Sequence, residues 1–270
     1  MTNMKDENIL FQGNAFYLLD HWLIAIVMLA VLIGACEVGY RLGLARQGAP
    51  DSLRSLMTAI GGAVLGLLGL LLGFALSMAI SRWDDRHDII IQEANAIGTL
   101  SLRATLVEEP LSAQLSESLH DYTKARIAIG RSRDRLETLQ AALRESEEIH
   151  VAIWSVVESA NRLSTPNATL ASLINSANQV IDMHELRIAS LQNHLPSTLF
   201  YLLFSLAALS VGFLAWGFGA AAQRGRTPIF LLAILIGAIL LLIMDVNRPQ
   251  RGIIEVGVAS LERVQEGRSR

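Results

Sequence analysis

The chain has 270 residues, 52% of them hydrophobic and 17% charged, with a mean hydropathy of +0.41 and a formal net charge of −3. That balance excludes a disordered chain and a basic nucleic-acid-binding surface, and a single cysteine, Cys36, excludes an intrachain disulfide framework. The hydrophobic excess sits in four runs, 22–40, 57–80, 198–222 and 228–244. A stretch of about 20 apolar residues at 1.5 Å rise matches the roughly 30 Å hydrocarbon core of a bilayer, so the runs predict an integral membrane protein with four transmembrane helices.

Segment 1–21 precedes the first run and carries Asp6, Glu7 and Asp20. No small-residue cleavage site follows the run, only Glu37 and Arg41, so it is expected to stay as a transmembrane helix. Cys36 reads as a packing residue, and Glu37 precedes Arg41 by one turn, the favourable order for an ion pair. Four spans, two within 22–80 and two within 198–247, put both termini and the segment 81–197 on one side. The loops 41–56 and 223–227 lie on the other. Those loops hold Arg41, Arg46, Arg54, Arg224 and Arg226 against one acid, Asp51, which favours the cytoplasm for them and the extracytoplasmic side for the rest.

The helical pattern of the second span continues past the membrane. Ile89, Ile90, Ala94, Ile97, Ala104 and Val107 extend an apolar face to Glu109-Pro110, predicting one helix of about 50 residues, on the order of 75 Å long. Pro110 suits the first position of the next helix, which carries Leu111, Leu115, Leu119, Tyr122 and Ile129 and stops at Gly130. Ser132 is placed to cap another, running to Leu163. Thr165-Pro166 opens a further helix through Leu170, Leu173, Ala177, Val180, Ile188 and Leu191 to a kink at Leu195-Pro196. With sixteen acids against eleven bases, 81–197 has a formal charge of −5. It reads as an all-helical extramembrane bundle inserted between spans two and three, and 248–270 as a C-terminal tail.

Two spans carry small residues at intervals of three and four. Span two has Gly62, Gly66, Gly69, Gly73 and Ser77 on one face, and span three has Ala208, Gly212, Ala215 and Gly219. In lipid, where apolar burial gives no net drive between helices, such faces let backbones approach closely. Tight packing of spans two and three, within or between subunits, is expected, and a pore lining is compatible with it. Charges gather where the spans meet water. Arg82, Asp84, Asp85 and Arg86 leave span two, while Asp245, Asn247, Arg248 and Pro249 leave span four. They read either as a belt of anchors and ion pairs or as a vestibule, with Asp245 expected to pair with Arg82, Arg86 or Arg248.

No catalytic or metal arrangement emerges. The six histidines show no ligand spacing with one another, and no Walker loop, dinucleotide fingerprint or nucleophile elbow is present. The chain is not read as an enzyme, and no cofactor is implied.

Three segments resemble a family of bacterial membrane proteins labelled bestrophin-like: Arg82-Trp83-Asp84-Asp85-Arg86; Glu93-Ala94-Asn95-Ala96-Ile97-Gly98-Thr99 with Arg103; and Asp245-Val246-Asn247-Arg248-Pro249 with Gly252. The four spans and the helical insert also match, so the resemblance covers nearly the whole chain. It implies a bacterial inner-membrane protein related to bestrophins, which are oligomeric anion channels with a large cytosolic part. The bulky apolar neck of those channels has no assignable counterpart in this chain. The resemblance implies other copies of the chain, the lipid bilayer and an inorganic ion as partners. Read without it, Glu93 and Asn95 are a polar pair beyond the membrane, and Gly98 lets another backbone approach. Glu93 is expected either to make a buried polar contact or to form, with Asn95, Asp84 and Asp85, charged rings along an ion pathway. A non-conducting scaffold or sensor that binds a partner through its helical domain is the competing reading.

Overall fold

The computed structural model describes residues 21–131, 136–163, 165, 167–221, 226–247 and 257–268, and all regular structure in them is helical. In chain order the helices are α1 (His21–Leu44), α2 (Asp51–Ala104), α3 (Leu111–Arg131), α4 (Leu136–Leu163), α5 (Ala168–Gln192), α6 (Ser197–Ala220), α7 (Thr227–Asn247) and α8 (Ala259–Arg268). Four helical segments are long and apolar enough to cross a membrane. The described residues form two compact units: 21–81 with 194–247, and 82–193 with 257–268.

In the apolar unit, α1 and α6 meet backbone to backbone. A methyl added at Gly39 would overlap the Gly212 carbonyl, one at Gly43 the Trp216 carbonyl, and one at Gly219 the Tyr40 carbonyl. Ala215 and Gly219 are buried, and Gly212 lies against the Ala35 carbonyl at 3.6 Å from its Cβ position. Small residues let these helices close to a distance at which dispersion holds them without apolar drive. Within the chain the small face of span three is therefore used against span one. Gly61 of α2 approaches Phe213, where a Cβ would lie 3.0 Å from the phenylalanine Cβ, and Thr58 Oγ1 lies 3.0 Å from a Cβ placed at Gly217. Otherwise the membrane part of α2 buries Leu68, Leu72, Ala75 and Ala79. Its stripe on another face is open: Gly62, Gly66, Gly69 and Gly73 are exposed, with nothing among the described residues near a Cβ added at any of them.

Two ends of this unit are tied by side chains. Glu37 Oε1 accepts from Arg41 Nε at 2.7 Å, and its Oε2 accepts from Arg226 Nη1 at 2.9 Å, so the anticipated pair gains a second arginine from the far short loop. At the other end Asn247 Oδ1 accepts from the backbone N–H of Leu195 at 3.0 Å. A proline at 196 leaves that turn short of donors, and the amide clamps its approach to α6.

The second unit is a helical bundle. The C-terminal part of α2 contributes Ile90, Ala94, Ile97, Leu100 and Ala104 to one core with Leu115, Leu119 and Tyr122 of α3, Ile153 and Val157 of α4, and Leu173, Ala177 and Val180 of α5. Each buried large apolar side chain contributes roughly 1.5–3 kcal/mol by leaving water. Arg103 Nη1 donates to the Ser172 carbonyl at 2.7 Å and ties α2 to α5.

Several boundaries differ from expectation. At 54 residues α2 runs about 80 Å, but it ends at Ala104, before Glu109-Pro110. Asn167, not Thr165-Pro166, caps α5, with its Oδ1 accepting from Leu170 N–H at 2.7 Å. The expected Ser132 cap lies outside the described residues, as do Arg248 and Pro249. Among the described residues no backbone approaches Gly98, whose Cβ position is open. The tail contains α8, which inserts Leu261 into the bundle core and pairs Glu262 with Arg131 Nη2 at 2.6 Å. A methyl at Gly130 would overlap Val258, so glycine here serves contact with the tail.

Candidate functional site: a buried charge cluster

The bundle core is charged at one level. Glu93, on the same helix face as Ile90 and Ile97, is fully buried. Its Oε1 accepts from Arg126 Nε of α3, and its Oε2 accepts from Arg187 Nη1 of α5. Tyr122 OH reaches Oε1 at 3.4 Å, and Arg187 Nη2 donates to the Arg126 carbonyl at 3.3 Å. Arg126 Nη1 lies 3.0 Å from His184 Nδ1. The His184 ring meets His150 of α4 edge to face at 4.6 Å, and the His150 ring lies 4.9 Å from Tyr122. One carboxylate, two guanidiniums, two imidazoles and a phenol thus bring four helices to one point.

Electrostatics follow from burial and these partners. Burial alone would raise the Glu93 pKa, but the charges of Arg187 and Arg126 outweigh it and hold the carboxyl below its usual range. Burial raises the Tyr122 phenol. His150 is pushed down to about 4, first by burial and then by Arg126. His184 is pushed down to about 3 by burial, Arg126 and His150. Both imidazoles are neutral at pH 7, and Arg126, Arg187, Tyr122 and Glu93 are the groups that face them.

This arrangement gives the unit a defined acid response. Unfolded histidines titrate at about 6.5, so between that pH and 4 the unfolded chain takes up protons that the folded chain refuses. The stability contributed by two neutral imidazoles is complete above about pH 6.5 and is lost as pH falls through that window. The lowered Glu93 carboxyl removes more below it. The unit's thermal midpoint should fall steadily from pH 7 to pH 4, and less steeply in His184→Gln. A flat profile over that range would contradict the buried neutral assignment.

Positions singled out in the sequence fall in different settings. Asp84, Asp85 and Asn95 are exposed, whereas Glu93 is enclosed, so Glu93 and Asn95 do not form a polar pair. Two residues apart on a helix, they point to different sides. A carboxylate matched by two guanidiniums of its own chain presents no free negative charge to a pathway. Arg82 is half-buried, and Arg86, Asp245 and Asn247 are buried. Arg126, Arg187, His150 and His184 were not anticipated. Their signal was a polar residue where the helical period calls for an apolar one: Arg126 falls between Tyr122 and Ile129, and His184 and Arg187 follow Val180. Among the described residues no group of histidine, cysteine or acidic side chains is placed to hold a metal ion.

A chain with four apolar spanning segments and a second helical unit built on a charged core is a multi-pass helical membrane protein. More narrowly, it belongs to the Bestrophin-like family, whose domain model matches residues 24–261. Its fold is similar to that of a crystallised membrane protein variant, with a TM-score of 0.67 and 11% identity over 87% of this chain and 97% of the other. It is also similar to a variant of a bacterial bestrophin homologue from Klebsiella pneumoniae, with a TM-score of 0.64 and 10% identity over 88% and 99%. At those identities the likeness is one of fold. No curated protein matches the chain.

Proposed function

We propose that this chain assembles with copies of itself into an ion channel of the bestrophin type in the bacterial inner membrane. In this reading the helical bundle is inserted between spans two and three, and the uncovered face of α2 borders the pathway. Family membership supports the class. The open stripe of α2 carries the assignment to this helix. Gly39, Gly43 and Gly219 of α1 and α6 are filled by neighbouring backbone, whereas Gly62, Gly66, Gly69 and Gly73 meet nothing among the described residues. A face so free of side chains is matched by another helix backbone or by a water-filled conduit.

Spacing of three and four carries the same helix face from Ser77 through Asp84 and Asp88 to Asn95, all exposed. Asp85 lies about 100° around the helix from Asp84 and borders that face less directly. Glu93 has no place in this pathway. Repeated around an axis, Asp84 and Asp88 would form carboxylate rings that concentrate cations over about a Debye length, roughly 8 Å at physiological salt. By parity both termini and the bundle share one side of the membrane, and the loop arginines favour the extracytoplasmic side.

The test is the reversal potential of purified protein in liposomes under a salt gradient, for wild type, Asp84→Asn and Asp88→Asn. Cation preference that weakens in the variants is expected. Anion preference unaltered by either change, or no flux from assembled protein, would contradict the assignment.

A further inference from the structure

Among its described residues the bundle core holds an unbalanced positive charge. Glu93 supplies one negative charge against Arg126 and Arg187, and the three side chains are at most 5% exposed. Among the described residues, the groups acting electrostatically on Glu93, Arg187, His150 and His184 are one another, Arg126 and Tyr122, with no second acid among them. A buried charge left without compensation is strongly destabilising.

Hydrogen-bond chemistry points the same way. A guanidinium only donates, so His184 Nδ1 must accept from Arg126 Nη1, and the neutral ring then carries its proton on Nε2. That Nε2, together with Arg126 Nη2 and His150 Nε2, is buried and has no hydrogen-bond partner among the described residues. Two of these atoms are donors by necessity. A water molecule could accept their bonds but would leave the charge in place. An anion satisfies both requirements.

We propose that the bundle core holds one small monovalent anion of the halide class beside Arg126, accepting from its Nη2 and from His184 Nε2. The site is separate from any conduction pathway and does not depend on the channel assignment. The buried anion would act as a structural ion, setting bundle stability by the halide content of the medium.

The experiment uses the full chain in detergent. Its thermal midpoint is measured in sodium bromide, sodium chloride and sodium gluconate at equal ionic strength, and crystals grown in bromide are examined for anomalous scattering. A midpoint several degrees higher in either halide is expected, with a bromide peak next to Arg126. Arg126→Met leaves one carboxylate against one guanidinium, so it should fold and lose the halide effect. Equal midpoints in all three salts, a halide effect retained in Arg126→Met, or density beside Arg126 without bromide signal would overturn the proposal. Where Arg126→Met does not fold, the bromide peak in the wild-type protein decides alone. None of these readouts involves flux, so failure here leaves the channel reading standing, and the reverse holds equally.

Discussion

Replacing Glu93 by glutamine should destabilise the bundle by about 3–5 kcal/mol, the cost of leaving buried charges without their partner. The substitution keeps shape and volume but removes the carboxylate that pairs with both Arg126 and Arg187. Full apolar replacement, Glu93→Leu with Arg126→Met and Arg187→Met, should recover most of that loss, because buried ion clusters contribute little net stability over well-packed apolar groups. Thermal unfolding of the full chain, followed by helical signal, checks both. A Glu93→Gln protein that unfolds at the parent temperature would show that the carboxylate is not the keystone of this core.

The two glycine faces should respond in opposite ways. Gly219→Leu drives a side chain into the Tyr40 carbonyl, and backbone cannot yield as a flexible side chain does, so a loss of about 1–3 kcal/mol or more in the stability of the chain itself is expected. Gly66→Leu and Gly69→Leu meet open space among the described residues. They should leave the fold of one chain intact while lowering the mass of the assembly in detergent. Mass and thermal stability measured on the same samples separate these effects. A Gly66→Leu protein with parental mass, or a Gly219→Leu protein with parental stability, would contradict the division of roles.

What was legible in the sequence follows from the range of each signal. Spans and the extension of α2 beyond the membrane depend on local hydropathy and the 3.6-residue period, and they read directly. The cap of α5 was misplaced because Thr165-Pro166 is the louder signal, yet Asn167 has the side-chain oxygen at the right distance from Leu170 N–H. A ten-residue helix such as α8 has too short an apolar pattern to stand out from a tail. The small stripe of α6 was visible, but its partner was not, although Ala35, Gly39 and Gly43 repeat at four-residue intervals on α1. The charge cluster lay furthest from reach. Glu93, Arg126, His150 and His184 come from four helices up to 91 positions apart in the chain, and only tertiary packing joins them.

The channel assignment rests on the open face of α2. Single-particle imaging of the protein in a lipid nanodisc tests it most directly. A symmetric assembly is predicted, with Gly62, Gly66, Gly69 and Gly73 turned towards neighbouring copies or the central axis and Asp84 and Asp88 bordering the same path. A monomer, or an assembly in which that face looks out into lipid, would contradict it.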